Sequence, residues 1–438
     1  MMRLLSKLST VLLAGATAVT MFAGASSAGE FDGYTLKVKL IGGAQYEPLY
    51  TRIPEWEAAT GAKVEILSRK NHFELDREIK QDIASGSINW CVGSNHTSFA
   101  PQYGSLYIDL SVVLDEDVVG AISENVNNSS MVDGRLVQLA RHSDVSNLYY
   151  IKSLYEDEQN KADFKAEYGY DLMPPETWDQ VKDQAIFFAD PPNFYGTQYV
   201  GKDEGISGRF YEMLVAEGGT FFGTDGKVAF NSPEGVRALE WFVDLYEAKA
   251  VPAGVPNYLW DETGLGFASG TVALNLDWGG WATFFNSADS KIQGDVGLIR
   301  APKGSSGKRT GWSGSHSFSI TEACDNKKAA ASFVTFLTNF DSQLLEGRTG
   351  LLPTRPDAIA AVIEESRAAG NDWLVEVFET YGASMAEDAF AVPSTPLWIP
   401  ISNELFPELQ AAIVGEKTPQ QALDDAAAAA NQLIEDEG

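Results

Sequence analysis

An α/β fold is the class that the sequence predicts, on three observations. Strand-like and helix-like runs alternate in order over residues 36–84. Of the 438 residues, 44% are hydrophobic and 21% are charged, which is typical of a folded chain rather than a disordered one. The length also exceeds the size at which one core stops growing, about 250–300 residues, so two or three structural units are expected. The alternation indicates a sheet with crossover connections.

The first elements define the alternation. Apolar residues and lysines alternate over 36–41 and are followed by Gly42-Gly43, which predicts a strand and a tight turn. Residues 48–59 predict a helix that ends at Thr60-Gly61. A strand at 63–67 and a helix at 74–84 follow, and the helix carries apolar residues four positions apart.

Later elements continue the same pattern. Thr177 is the expected N-cap of a helix at 178–188, and Ser232-Pro233 is the expected start of another. The remaining predicted strands are at 136–140, 148–151 and 272–275, and the remaining predicted helices are at 327–340, 404–414 and 418–435. There is no internal repeat and no long linker.

Residues 1–28 have the features of a signal peptide. Arg3 and Lys7 precede an uncharged apolar stretch at 10–24, and small residues end it at Ala28. A membrane anchor is the alternative, but the stretch is short for a span of about 20 residues. We therefore expect cleavage after Ala28 and a periplasmic protein.

Charge and cysteine content exclude several classes. The formal net charge is −29, and it becomes −31 once the two basic residues of the leader are removed. Such a charge repels nucleic acids and anionic lipids, so neither is an expected partner. Cys91 and Cys324 are the two cysteines, which excludes a cysteine-rich zinc cluster; spacing alone leaves open whether they form a bridge.

A search for catalytic and metal-binding motifs gives no candidate. The four histidines lack the short spacings of zinc sites. The segment 311–315 (GWSGS) fails the nucleophile-elbow pattern at its last position, and the loop 304–309 lacks the residues of a phosphate loop. We therefore predict no metal, no cofactor and no catalytic residue.

Tryptophan is the more informative residue type. Several of the ten tryptophans lie in polar, glycine-rich segments, where an exposed ring can stack on a sugar ring or another flat ligand. These segments begin at Trp260, Asp277, Trp312 and Pro396. Packing of the same rings into the core is the alternative, and it is the expected role of Trp56, Trp178 and Trp241.

Five segments, in order, resemble the extracellular solute-binding proteins of bacterial ABC importers, the group that includes maltose- and trehalose-binding proteins. They are residues 175–179 (PETWD), 218–239, 260–274, 329–355 and 415–423. Each segment is a weak signal alone. Together and in this order they cover nearly the whole mature chain, so the sequence is identified as similar to this family.

The resemblance implies a two-lobe fold of the type II periplasmic-binding class, with each lobe a β-sheet flanked by helices. The N-terminal lobe is then 29–139 plus 315–385, and the C-terminal lobe is 140–311 plus 390–438. Three hinge crossovers fall near 140–144, 311–315 and 386–392. It also implies a non-catalytic, monomeric protein that holds a sugar, oligosaccharide or polyol-like solute between the lobes and delivers it to the permease.

The resemblance also implies a set of ligand-binding residues. Asp144 falls on the family's ligand-binding aspartate, where a carboxylate accepts hydrogen bonds from hydroxyls, and Trp260 and Trp281 fall on its stacking tryptophans. The other expected site residues are Gln45, Tyr46, Asn95, His96, Thr97, Arg141, His142, Gly219, Asp277, Trp312, Ser313, Gly314, Arg355 and Trp398. Main-chain amides at 312–314 are expected to face the cleft.

Departures from the family leave alternatives open. Arg141 and His142 replace the usual aromatic pair before the aspartate, so Arg141, with Arg348 or Arg355, could bind an anionic sugar derivative such as a uronate or a sulfonated sugar. Pairing of Arg141 with a neighbouring acidic residue is the competing interpretation. A secreted carbohydrate-active enzyme is the alternative from another class, and a partner of a chemoreceptor fits the same features as a transport protein.

Overall fold

The computed structural model describes residues 29–437, so the predicted signal peptide lies outside the described residues. Within that range, the chain forms twelve strands and eighteen α-helices. No helix of this part is long and apolar enough to cross a bilayer.

The strands are short and belong to three sheets. They are β1 Thr35–Ile41, β2 Lys63–Lys70, β3 Val92–His96, β4 Met131–Val132, β5 Arg135–Leu136, β6 Leu139–Val145, β7 Asn147–Ile151, β8 Leu274–Asp277, β9 Val296–Arg300, β10 Gly311–Ile320, β11 Leu352–Pro353 and β12 Ala389–Phe390.

The helices fill the intervals between the strands. They are α1 Glu47–Tyr50, α2 Ile53–Thr60, α3 His72–Ser85, α4 Glu116–Gly120, α5 Glu124–Asn128, α6 Lys152–Glu156, α7 Glu158–Tyr168, α8 Trp178–Phe188, α9 Asp203–Ala216, α10 Pro233–Glu247, α11 Trp260–Ala268, α12 Ala282–Phe285, α13 Lys327–Thr338, α14 Phe340–Arg348, α15 Pro356–Ala368, α16 Asp372–Glu387, α17 Trp398–Ile413 and α18 Pro419–Glu437.

The larger sheet has seven strands. Six of them follow the order β11-β6-β10-β3-β1-β2, and β12 pairs with the start of β10. The pairs β1–β2 and β1–β3 are parallel, as the strand-helix alternation predicts, whereas β10 is antiparallel to both β3 and β6. The antiparallel pairs bring chain segments that are far apart in sequence side by side.

The smaller sheet has three antiparallel strands in the order β8-β7-β9. The chain leaves the larger sheet at Val145 and enters the smaller one at Asn147. The architecture is thus mixed α/β with two main sheets, and the predicted fold class is confirmed.

Buried apolar side chains form separate cores on the two sheets. One core contains Leu36, Val38, Leu40 and Phe318 of the larger sheet. Another joins Tyr149 of β7 to Tyr381 of α16, so α16 packs against the smaller sheet. Trp56, Trp178 and Trp241 are each at most 6% exposed, as predicted.

Cys91 and Cys324 form a disulfide bond across 233 positions of sequence. Cys91 precedes β3 and Cys324 follows β10, and these two strands are already paired at Val92 and Ile320. The sequence spacing left open whether these two cysteines form a bridge, and the structure shows that they do.

Two predicted helices are interrupted in the structure. The helix expected at 48–59 is split into α1 and α2, because Pro54 lacks an N–H and its ring clashes with the carbonyl four residues before it. The helix expected at 327–340 ends at Thr338, because the side chain of Asn339 accepts the backbone N–H of Ser342 and starts α14. The N-caps predicted at Thr177 and Ser232 are confirmed.

Candidate functional site

A cavity lies where the two sheets meet. Its empty volume is about 1000 Å³, which includes space open to solvent. Ile41 of β1, His142 of β6 and His316 of β10 line it from the larger sheet, and Asp277 of β8 lines it from the smaller one.

Three tryptophans form an edge-to-face cluster on one side of the cavity. The ring centroids of Trp260 and Trp278 are 4.2 Å apart, and those of Trp278 and Trp312 are 5.2 Å apart. The indole N–H of Trp278 also donates to the carbonyl oxygen of Trp312, at 3.3 Å. Such contacts hold aromatic rings in a fixed orientation.

Arg209 of α9 supports this cluster from behind. Its guanidinium carbon is 4.4 Å from the ring centroid of Trp278 and 5.5 Å from that of Trp260. The charge is compensated by Glu212, at 2.8 Å, and Glu212 in turn accepts the backbone N–H of Trp312, at 2.8 Å. The buried pair therefore orients the tryptophans and is not itself free for a ligand.

Two glycines allow tryptophan rings to pack directly against helix backbones. A Cβ at Gly264 of α11 would lie 2.2 Å from the Trp281 indole, and a Cβ at Gly208 of α9 would lie 2.2 Å from the Trp312 indole. Trp281 also lies nearly parallel to Phe285, with the centroids 5.9 Å apart and an angle of 12° between the rings. The helices thus fix where these rings face the cavity.

The opposite side of the cavity is polar. The Asp144 carboxylate is 3.0 Å from Nε2 of His142 and is partly exposed to the cavity, with its side chain 13% accessible. Tyr46 stacks on His142 at a centroid distance of 5.6 Å and meets His316 edge-on at 5.1 Å. Gln45 and Asn71 add amide groups that can donate to or accept from hydroxyls.

Two further carboxyl groups that line the cavity are buried. Burial raises the pKa of Glu204 to about 7, although Trp398 donates its indole N–H to Glu204 at 2.7 Å. Burial also raises the pKa of Asp277 to about 6, with nearby Arg209 acting in the opposite direction. Near neutral pH, part of each population can donate as well as accept a hydrogen bond.

All four histidines of the chain line the cavity. Burial lowers the pKa of His72 to about 3 and that of His96 to about 4, and it lowers the pKa of His316 well below its ordinary value. These three rings are therefore neutral in the physiological range, and they act as neutral donors and acceptors.

Many of the predicted site residues meet in this cavity. Those that line it are Gln45, Tyr46, His96, His142, Asp144, Trp260, Asp277, Trp281 and Trp312. Those that do not are Asn95, Thr97, Arg141, Gly219, Ser313, Gly314, Arg355 and Trp398.

Strand alternation explains the exclusion of Arg141. Successive side chains of a strand point to opposite faces, so His142 and Asp144 cannot share a face with Arg141. Arg141 is fully buried on the other face, where Nε donates to Glu346 at 3.0 Å and Nη1 donates to the Tyr50 hydroxyl at 2.9 Å. The interpretation in which Arg141 pairs with an acidic neighbour is confirmed.

The two crossover residues after Trp312 do not line the cavity. Ser313 lies on the opposite face of β10 and directs its hydroxyl to the Met385 sulfur, at 3.7 Å. Gly314 lies on the same face as His316, but it has no side chain and the His96 ring covers it. The expectation that amides at 312–314 face the cleft is wrong for Trp312, whose N–H is bound by Glu212.

The other excluded residues have structural partners. Thr97 accepts the backbone N–H of Ser315 at 3.2 Å, and Asn95 accepts the backbone N–H of His96 at 2.8 Å. Arg355 pairs with Asp357 at 2.7 Å. The remaining two are packing residues, Gly219 against Leu214 and the fully buried Trp398 behind Glu204.

Sequence reasoning missed several lining residues. Asn71, His72 and Phe73 stand at the start of α3, and Glu204 stands near the start of α9. His316 lies within β10, and Trp278 lies in the glycine-rich segment already singled out. Only Trp278 carried a local signal, because the positions of the others depend on which strands become neighbours.

A family model described as bacterial extracellular solute-binding protein matches residues 43–343. Among curated proteins, a probable ABC transporter-binding protein of Deinococcus radiodurans is 28% identical over 247 residues, which is 55% of this chain and 56% of that protein. A probable amino-acid ABC transporter periplasmic-binding protein of Sinorhizobium fredii is 23% identical over 92% of this chain and 90% of its own length. The match thus spans little more than half of the Deinococcus protein.

Solved structures of similar overall fold include two sugar or polyol complexes. Maltose-bound MalE3 of T. maritima has a TM-score of 0.79 and 25% identity, and the match covers 91% of this chain and 100% of that one. A solute-binding protein of Agrobacterium vitis with bound D-mannitol has a TM-score of 0.78 and 21% identity, over 92% of this chain and 99% of that one.

Proposed function

The chain belongs to the bacterial extracellular solute-binding protein family, and we propose that it is the periplasmic binding component of an ABC importer for a neutral sugar, oligosaccharide or polyol-like solute. The observation that carries this proposal is the composition of the cavity. Tryptophan rings form one side, and short polar groups with carboxylates form the other. Flat apolar ring faces opposed by hydroxyl-binding groups match the two kinds of surface that a sugar presents.

A neutral solute fits the charges better than an anionic one. The carboxyl groups of Asp144, Glu204, Asp261 and Asp277 line the cavity, and none of the described residues that line it is lysine or arginine. The arginines considered for an anion are paired elsewhere, Arg141 with Glu346, Arg348 with Glu365 and Arg355 with Asp357. An anion entering this cavity would meet carboxyl groups and no lysine or arginine among the described lining residues.

Binding without catalysis is the proposed mode of action. The family and the structural neighbours are binding proteins. Asp144 is held by His142, and Asp277 is surrounded by Asn275, Thr263 and the backbone N–H of Trp278. Turnover of a glycoside that is lost on replacing one of these carboxylates would favour the enzyme alternative instead.

The lobe arrangement is part of the proposal. We propose 29–139 with 315–385 for one lobe and 140–311 with 390–438 for the other. Two elements cross this division, since β6 belongs to the larger sheet and α16 packs against the smaller one. Three segments near the expected hinges lie side by side, since Ser313 pairs with Val145 and Gly311 pairs with Ala389. Rotation about these paired strands would open and close the cavity, and contacts made only in the closed state would shift the population towards it.

The cellular setting follows from the family and the sequence. Members of the family act outside the cytoplasmic membrane and deliver solute to a permease. We propose that the leader is removed after Ala28 and that the mature protein acts as a monomer, without nucleic acid and without a cofactor.

A ligand screen tests the proposal. The mature protein is heated with neutral sugars, polyols, uronates, sulfonated sugars and amino sugars in turn. A true ligand at 100 times its Kd stabilises the folded state by about 2.7 kcal/mol, a readily measured shift. Stabilisation by neutral solutes supports the proposal, and stabilisation by uronates or sulfonated sugars alone would overturn the neutral assignment.

Variants then locate the site. We expect Trp281→Ala and Asp144→Ala each to weaken binding of the solute found in the screen, by at least about tenfold, while the protein stays folded. Trp373→Ala is the matched control, because Trp373 is also half-buried but does not line the cavity. Unchanged affinity by calorimetry in both site variants would remove this site assignment.

A further inference from the structure

The four histidines of the chain converge at one end of the cavity. The ring of His316 is 5.2 Å from those of His96 and His142 and 5.6 Å from that of His72, measured between centroids. In the sequence these residues are far apart, and none shares the spacing of a metal motif. Tertiary structure alone brings them together.

The register of the larger sheet explains this convergence. His316 of β10 lies directly opposite His96 of β3 on one side and opposite His142 of β6 on the other. Residues directly opposite on neighbouring strands project from the same face, and so do residues two apart on one strand. Asp144 therefore joins His142 on the face that carries His316.

Three of these side chains offer a set of metal-ligand atoms. One nitrogen each of His142 and His316 and one carboxylate oxygen of Asp144 all lie within 4.8 Å of one another. Nδ1 of His142 and Nδ1 of His316 are buried and have no hydrogen-bond partner among the described residues. A buried nitrogen without a partner is costly, so the described residues leave both rings incompletely hydrogen-bonded, while Nε2 of His142 is the nitrogen that lies beside Asp144, at 3.0 Å.

The other two histidines are less suited to binding an ion. Nδ1 of His96 accepts the backbone N–H of Ser98 at 3.2 Å and contacts the Ser98 hydroxyl at 2.7 Å. The Nε2 of that ring then carries the proton and is a donor. His72 lies at the edge of the cluster, outside the set of three.

We propose that His142, Asp144 and His316 bind one divalent first-row transition-metal ion at the wall of the cavity. Two imidazoles and one carboxylate are donors that Zn²⁺, Ni²⁺ and Cu²⁺ accept, whereas Mg²⁺ and Ca²⁺ prefer oxygen alone. All three residues line the cavity, so the remaining coordination positions face the space in which a solute would lie. The metal site does not depend on the identity of that solute, although Asp144 serves in both assignments.

Calorimetry on tag-free, chelator-treated mature protein tests the site with Zn²⁺ and Ni²⁺ as probes. We expect saturation at one ion per chain and no binding of Mg²⁺. His316→Gln and His142→Gln should each weaken binding more than about a hundredfold, since losing even an outer-shell partner typically costs 10–100-fold. His72→Gln is the matched control, a cavity histidine outside the donor set, and it should bind as the unaltered protein does.

Several results would overturn the proposal. They are no binding of either ion, binding of equal strength in His316→Gln, or equal loss in His72→Gln. Thermal unfolding of each variant without metal shows that it is folded. Solute binding measured in the presence of chelator separates the two proposals. A protein that binds a solute but neither ion overturns the metal site alone. A protein that binds an ion but no solute of the screen overturns the proposed function alone.

Discussion

Adding one methyl group at Gly264 should displace a wall of the binding cavity without touching a ligand directly. In Gly264→Ala the new Cβ would lie 2.2 Å from Cε2 and 2.4 Å from Cδ2 of the Trp281 indole. Phe285 and Phe284 pack against other sides of the indole, and their ring centroids lie 5.9 and 5.7 Å from that of Trp281. The cavity is the open direction, so the ring should move into it.

The size of the effect follows from this geometry. The indole must withdraw by about 1.2 Å to reach 3.4 Å, the near edge of ordinary van der Waals contact. A ring moved this far into the cavity cannot keep its stacking contact with a solute in the same position, and aromatic stacking is worth about 0.5–1.5 kcal/mol. We expect the Kd for the solute to rise by about tenfold, which corresponds to about 1.4 kcal/mol.

The free energy of unfolding should fall by at most about 2 kcal/mol. Alanine is favoured over glycine within a helix by about 1 kcal/mol, which offsets part of the overpacking cost of about 1–3 kcal/mol. Gly382→Ala is the matched control, because Gly382 lies within α16 and an added Cβ there meets nothing within 4 Å. Calorimetry and thermal unfolding of both variants measure the two effects. A Gly264→Ala protein that binds solute as tightly as the unaltered one would refute the reasoning.

Three further predictions concern stability and are checked by denaturant unfolding. Burial raises the pKa of Glu204 from 4.5 to about 7, so its protonated form stabilises the fold below about pH 4.5, and this stabilisation is lost as the pH rises through 7. Glutamine resembles the protonated form at every pH. The free energy of unfolding of Glu204→Gln should therefore exceed that of the unaltered protein by on the order of 3 kcal/mol at pH 8 and by little at pH 4.5. An equal difference at both pH values would contradict this. Replacing Cys91 and Cys324 by serine should lower the free energy of unfolding by about 2–5 kcal/mol, and no loss would show that the bridge does not restrain the unfolded chain. Arg141→Met should cost about 3–5 kcal/mol because it leaves Glu346 buried and unpaired, and a second change, Glu346→Leu, should restore most of it.

The sequence was sufficient for elements whose signals are local. Thr177 and Ser232 start helices because a side-chain oxygen can bind the first free N–H groups wherever the rest of the protein lies. The two interrupted helices also have local causes, since Pro54 lacks an N–H and the Asn339 side chain caps a new helix.

The site was predicted only in part because its geometry depends on strand register. Alternation along β6 separates His142 and Asp144 from Arg141, and the pairing of β10 with two other strands gathers His96, His142 and His316. No spacing in the sequence encodes which strands become neighbours. The family resemblance supplied Asp144, Trp260 and Trp281 because those positions belong to motifs, whereas His72 and Glu204 belong to none.

A crystal structure of the mature protein with the best solute of the screen tests the central claim most directly. Our account predicts a closed form in which the solute lies between the Trp281 ring and the Asp144 carboxylate, with its ring face on the indole and its hydroxyls on the polar side. Solute bound outside this cavity, or a cavity that stays empty at saturating solute, would contradict it.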